Sequence, residues 1–231
     1  MSAGVREELP DRVDPTPRAS GTAGGGRRRG LLEALLVLLA AVVVVYENDP
    51  DQLADVGRTV AGNLGDPLYF AWQLSWVAHA VADHVPDFWT TNAFLRTPGN
   101  LAFTDTILGY LPISLLTGPG QAGALAALTL AGFVANVLAL CGGYALARAL
   151  GAGVLGSALA GIGVGLAPWR IEQAIHLNVV STGGIAFTLA LLAYGHGWSL
   201  RHGWRPDRTH PWAVGTGWAV ACWQLTLGFA I

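Results

Sequence analysis

The chain has no lysine and very little charge of either sign in its second half. Beyond Asp105 the only acids are Glu172 and Asp207, and the only cations are Arg148, Arg170, Arg201, Arg205 and Arg208. Of the 231 residues 12% are charged and 52% are hydrophobic, whereas soluble domains carry roughly 25% charge. So few charges cannot cover a water-facing surface, while a lipid-facing surface needs none. Cysteine is also scarce. Cys141 and Cys222 both lie in apolar runs, which excludes a disulfide framework or a zinc site and leaves them as small packing residues. A Gly-rich nucleotide loop, a nucleophile elbow and an HExxH pair are all missing. The arginines form no basic patch of the kind that binds nucleic acid.

What remains is a series of apolar runs between polar segments. Residues 1–29 are rich in Gly, Pro and charge, a composition that cannot bury a core and predicts a disordered tail. Residues 30–231 read as a transmembrane domain. Its first helix lies near 31–46, directly after Arg27-Arg28-Arg29. A signal peptide is the competing reading, but Val-Val-Val-Val-Tyr-Glu offers no small-residue cleavage site, which favours a retained anchor. Four further apolar helices are expected near 122–147, 153–168, 179–198 and 212–231. Gly156, Gly161, Gly163 and Gly165 in the second of these are small enough to let neighbouring helices approach closely.

Between the first helix and the other four lies a long loop, 47–121. Within it, 67–84 reads as a helix with Pro67 in its first turn. Trp72, Trp76, His79 and Asp83 fall on one stripe of that helix, which suits a membrane surface better than a crossing. A second apolar piece, 105–117, is broken by Gly109 and Pro112 and is shorter than the roughly 20 residues a crossing needs. The expected fold is all-α: a polytopic membrane protein with about five transmembrane helices and two juxtamembrane helices in the first external loop.

Charge sets the topology. Arg27–Arg29 predict a cytoplasmic N-terminus, and Arg201, Arg205 and Arg208 predict that the loop 199–211 is also inside. Loop 47–121 and the short loop 168–178 are then both external, and Arg148 is internal.

The polar residues with chemical potential gather in those two external loops. Asp66, in Gly65-Asp66-Pro67, can cap the following helix or accept a proton from an acceptor hydroxyl. Asp105 can likewise cap a helix start, and two carboxylates on one external loop can jointly orient an acceptor or hold a divalent cation. The loop Pro168-Trp169-Arg170-Ile171-Glu172-Gln173-Ala174-Ile175-His176-Leu177-Asn178 concentrates charge in a sparsely charged half. Arg170 can bind phosphate oxygens in a fork. If the loop is helical, Glu172 and His176 share a face. His176 can position a phosphate, bind a metal or cap a helix. An ordinary interfacial loop with Arg170 reaching to headgroups is the alternative.

Taken together these features resemble the bacterial members of the GT-C superfamily, polytopic glycosyltransferases that use polyprenyl-phosphate-linked sugars. The resemblance is carried by Gly65-Asp66-Pro67-Leu68-Tyr69, Trp72-Gln73-Leu74-Ser75-Trp76, Asn92-Ala93-Phe94, Leu101–Gly109, Tyr144–Arg148, Pro168-Trp169-Arg170 and Gln173–Leu177. It covers about residues 31–231. It implies an inverting transfer at the external face of the plasma membrane, with Asp66 as base. Asp105 would be a second catalytic acid, and Arg170, Glu172, His176 and Trp72 would bind substrate. The implied partners are the bilayer, a polyprenyl-phosphate-linked sugar and an acceptor. No cofactor is implied for certain, and a divalent cation is the one candidate. The chain stops at Ala230-Ile231 within an apolar run, so the resemblance also leads one to expect an N-terminal part. A transporter or lipid carrier, and a non-catalytic membrane subunit, are the other readings.

Overall fold

A computed structural model describes residues 23–60, 62–93 and 97–228. Most of the expected tail (1–22) and the last three residues of the final apolar run lie outside the described residues. The chain divides into two compact units, Met1–Leu36 and Val37–Ile231. The described part of the first unit belongs to helix α1 (Ala23–Asn48). Leu31, Leu32, Leu35 and Leu36 are all exposed there, as suits a helix solvated by lipid. The helix starts before the expected 31 and takes in Arg27–Arg29. Arginine is a good helix former, and no proline intervenes to stop the helix.

The second unit carries the rest of α1 and nine further helices among the described residues. They are α2 (Pro50–Ala54), α3 (Asp66–Ala82), α4 (Leu111–Thr117), α5 (Gly120–Ala149), α6 (Val154–Gly165), α7 (Pro168–Glu172), α8 (Leu177–Val180), α9 (Gly183–Gly195) and α10 (Pro211–Leu225). Helix α5, at 30 residues and about 45 Å long, is the centre. It packs against α6, α9 and α3, and α9 packs in turn against α10. One core joins Phe70 and Leu74 of α3 to Leu125, Leu128 and Ala131 of α5, with Tyr110, Leu177 and Val180. A second joins Ala41 and Val45 of α1 to Val137 and Leu140 of α5.

Four segments are long and apolar enough to cross a membrane: Arg28–Asn48, Gly120–Ala149, Val154–Glu172 and Leu177–Gly195. The protein is thus a polytopic α-helical membrane protein, as the sequence predicts. The fifth expected crossing is shorter than foreseen. Helix α10 has 15 residues, about 22 Å, against a hydrocarbon core of about 30 Å. It ends because Thr226 turns back: its carbonyl accepts from Gly109 N at 3.1 Å, and Leu227 is fully buried.

Three other boundaries move, each for a local reason. The piece expected as a helix from 105 is helical only from Leu108, in a 3₁₀ turn that runs into α4. Ile107, at φ 38°, stands in the left-handed region, which a β-branched residue enters only under tertiary constraint. Helix α9 begins at Gly183 instead of 179, because Ser181 and Thr182 are drawn into side-chain bonds. The loop 199–211 contains a two-stranded hairpin, β1 (Trp198–Ser199) and β2 (Gly203–Trp204), with Trp198 opposite Trp204.

Close helix approach occurs at some of the expected glycines. A Cβ at Gly161 would meet Leu140 O at 2.8 Å, and one at Gly165 would meet Leu140 Cβ at 2.8 Å. Gly163 has nothing within 4 Å, and Gly156 has only the Ala152 methyl at 3.8 Å. Half of the glycines in α6 therefore serve packing, and the other half reflect composition.

Leu200 N donates to Leu150 O at 3.0 Å, and Arg148 Nη1 to Ala152 O at 2.8 Å. These bonds place the hairpin and the Arg148 turn at one end of the unit, as the charge pattern requires. Loops 105–118 and 168–178 lie at the other end of the helices they join.

Candidate functional site

At that other end, Pro67 in the first turn starts α3. The N-cap is Gly65 and not Asp66, and no side chain caps the helix. The Asp66 carboxylate is therefore not used for capping. Its Oδ2 lies 2.8 Å from His176 Nε2, joining residues 110 positions apart in sequence. His176 Nδ1 is buried without a partner. That leaves the Asp66 contact as the bond that orients the ring.

Asp105 stands two residues before Ile107, the N-cap of the following 3₁₀ turn, which has no side-chain cap. Asn178 Nδ2 donates to Asp105 Oδ2 at 2.5 Å. The two carboxylates thus come to the same place on partners two residues apart, His176 and Asn178. Together with Tyr69, Phe70, Thr104 and Phe103 they line one open cleft of about 600 Å³. Its floor is held by Gln73, fully buried, whose Nε2 donates to Tyr69 Oη at 3.0 Å and Thr104 Oγ1 at 2.8 Å.

Trp72 stands beside the cleft without lining it. Its ring centroid is 5.8 Å from that of Tyr69, and its Nε1 donates to Asn92 Oδ1 at 3.0 Å. Trp76 donates likewise to Phe88 O at 3.1 Å. The tryptophan stripe ties down the segment after α3, so the indoles act as anchors for this loop.

Glu172 and Arg170 are not in the cleft. The expectation that Glu172 and His176 share a helix face is overturned, because α7 is only five residues long and ends at Glu172. Residues 173–175 turn, and His176 becomes the N-cap position of α8. Glu172 is exposed. Arg170 is buried, 3% exposed, and bonds through Nη1 to Thr182 Oγ1 and through Nη2 to Asn136 Oδ1, both at 2.9 Å. It belongs to a separate cavity.

Behind the cleft, Ser181 Oγ donates to Leu177 O at 2.5 Å, so the 2.6 Å contact with Tyr110 Oη has Tyr110 as donor. Burial pushes the Tyr110 phenol up to about 12, against smaller opposing effects from the Ser181 bond and the Arg170 charge. It stays a neutral donor throughout the physiological range.

A divalent cation fits the cleft poorly. Among the described residues no group of three or more His, Cys, Asp or Glu converges on one point. Asp66 and Asp105 are each turned to a nitrogen partner.

Sequence reasoning did not reach Asn178, Tyr69, Thr104 or Gln73. Gln73 alone left a signal, a lone amide between Trp72 and Leu74 on the buried side of an apolar helix. Compared with known proteins, the chain matches no family model, no curated protein and no solved structure.

Proposed function

We propose that the chain supports inverting sugar transfer from a polyprenyl-phosphate-linked donor to a hydroxyl acceptor, in the cleft of Asp66. The observation that carries this reading is the Asp66–His176 contact of 2.8 Å at an open cleft. A carboxylate held by an oriented ring, instead of by a helix end, is arranged to take a proton from a bound hydroxyl. The hydroxyl oxygen then attacks the anomeric carbon, the glycosidic bond to the lipid phosphate breaks, and the phosphate leaves with the electron pair. Asp105, fixed by Asn178, is placed to orient the acceptor through a second hydrogen bond. The test is sugar transfer by the reconstituted protein with polyprenyl-phosphate-linked donors. Transfer above a no-protein control is expected, and its absence with every donor overturns the reading.

The cleft is assigned to the outer face of the plasma membrane, with the N-terminus in the cytoplasm. Phe103 is 82% exposed in the cleft wall, and Leu200 is 73% exposed in the hairpin at the opposite end. In a background free of Cys141 and Cys222, Phe103→Cys should react with a membrane-impermeant maleimide on intact cells, and Leu200→Cys only after lysis. The reverse pattern would invert the orientation.

One observation favours a second reading, a carrier. The segment Leu177–Gly195 is interrupted between Val180 and Gly183, and Arg170 and Asn136 are paired near the middle of α5. Broken helices beside buried polar groups are common at transport sites. Uptake of substrate into vesicles without sugar transfer would select this reading.

A further inference from the structure

The hairpin β1–β2 sits where three helices end or begin. Helices α5 and α9 end there at Ala149 and Gly195, and α10 begins there at Pro211. Main-chain bonds pin the hairpin across those ends. Leu200 N donates to Leu150 O at 3.0 Å, Arg205 N to Gly197 O at 2.9 Å and His210 N to Gly195 O at 2.8 Å. A Cβ at Gly151 would lie 2.8 Å from Arg201 Cβ, so the tip Leu200-Arg201-His202 packs directly on the turn after α5. Two of the segments able to cross a membrane end at Ala149 and Gly195. A ribbon fixed within a few residues of both lies at headgroup depth, since the polar zone adds only about 5–7 Å to each side of the hydrocarbon core.

The surface of this ribbon joins aromatic rings to surplus positive charge. Trp198 stands directly opposite Trp204, so the two rings share one face. Both are exposed, as are Leu200 at the tip and Trp212 at the start of α10. Trp212 meets Tyr194 edge-on at 6.2 Å, and Tyr194 stacks on His210 at 4.4 Å. Trp72, Trp76 and Trp223 donate their indole N–H groups to protein oxygens. Among the described residues Trp198, Trp204 and Trp212 meet no such acceptor. Residues 196–212 hold Arg201, Arg205 and Arg208 against Asp207 alone. Arg205 and Arg208 share that one carboxylate, at 3.6 and 4.0 Å. Arg201 is exposed at the tip and makes no ion pair among the described residues.

An exposed indole with an unused N–H suits the headgroup zone, where one side is apolar and the other wet. An arginine without a carboxylate in that zone attracts lipids of net negative charge. We infer that the hairpin is a docking surface for anionic phospholipid headgroups. Arg201 pairs with the lipid phosphate, while Trp198, Trp204 and Trp212 anchor the ribbon at the acyl boundary. The hairpin is rigid before lipid arrives, because its main-chain bonds to the ends of α5 and α9 already fix it, so little ordering is left to oppose binding. The surface is independent of any chemistry in the cleft, which lies at the opposite end of the helices.

The test uses the full chain in detergent with equal amounts of phosphatidylglycerol and phosphatidylcholine, and native mass spectrometry reads the ratio of the two lipids retained. Wild type should favour phosphatidylglycerol. Arg201→Gln should lower that ratio about fivefold, the weight of one basic residue at an anionic surface. Asp207→Asn, which releases Arg205 and Arg208, should raise it. Trp204→Ser should reduce retention of both lipids and leave their ratio near that of wild type, which separates anchoring from charge. Arg58→Gln is the control. Arg58 is also exposed, and a Cβ at the adjacent Gly57 would meet Ala122 O at 2.9 Å at the start of α5, so it lies at the other end of that helix. Its ratio should match wild type. Asp66→Asn should match wild type too, so a failed transfer assay and a failed lipid surface are separable. Equal retention of the two lipids by wild type, or equal ratios in Arg201→Gln and Arg58→Gln, overturns the docking surface.

Discussion

Asp66→Asn should lower sugar transfer by about 10²- to 10⁴-fold, the usual contribution of a positioned general base, with little change in the stability of the protein. The variant is nearly isosteric. Its amide oxygen still accepts from His176 Nε2, so the 2.8 Å contact and the cleft geometry are kept. What is lost is the capacity to take the acceptor's proton. Asp66 makes no helix cap, so all the helix start loses with the charge is its interaction with the N-terminal dipole, about 0.3–1 kcal/mol. That separates the prediction from a capping role, in which Asn would substitute freely and transfer would be unaffected. The companion variant His176→Ala should lose less, about 10- to 100-fold, because it frees the carboxylate to rotate without removing it. If Asp66→Asn retains wild-type transfer, Asp66 is not the base.

The second large effect concerns packing. Gly183→Ala should destabilise the fold by about 1–3 kcal/mol, the cost of forcing a methyl into a filled contact. A Cβ there would lie 2.6 Å from Leu138 C and 2.7 Å from Ala139 N. These are main-chain atoms of the central helix and cannot swing aside as a side chain would. Gly163→Ala makes the opposite case. Nothing lies within 4 Å of its Cβ position, and alanine favours a helix over glycine by about 0.5–1 kcal/mol. One substitution type should therefore change sign between α9 and α6, read as the shift in unfolding midpoint by circular dichroism in detergent. Equal effects at both positions would contradict the α5–α9 contact.

How far the sequence led differs from feature to feature. The long apolar helices were legible because a bilayer imposes both length and composition, and the segments Arg28–Asn48 and Gly120–Ala149 satisfy both. The common end of Arg148 and the 199–211 loop was legible from charge alone. Boundaries were less so wherever a tertiary bond overrode a local preference. Ser181 and Thr182 look like the start of a helix until Tyr110 and Arg170 claim their hydroxyls. The site divided in the same way. Asp66, Asp105 and His176 were visible as polar residues in a poor background, but their partnership was not. Periodicity speaks only across a few turns, and the Asp66–His176 pair spans 110 positions. The assignment of Arg170 to a cavity of its own was equally hidden, since Asn136 comes from α5 and Thr182 from the break between α8 and α9.

The bonds behind the cleft also bear on the order in which the protein is built. Tyr110 holds Ser181, Gln224 Nε2 donates to Ser181 O at 2.5 Å, and Trp223 Nε1 donates to Gly109 O at 3.3 Å. Three segments that leave the ribosome far apart are thus closed into one knot by α10. Loop closures of that length are entropically slow to form. Until α10 arrives, the Gly109 main chain and the Ser181 carbonyl lack their α10 partners, and the segments carrying Asp105 and Asn178 are held only by the Tyr110–Ser181 bond and local contacts. A nascent chain can therefore have its membrane helices inserted while its polar end is still unassembled, and the cleft takes its shape only when α10 docks.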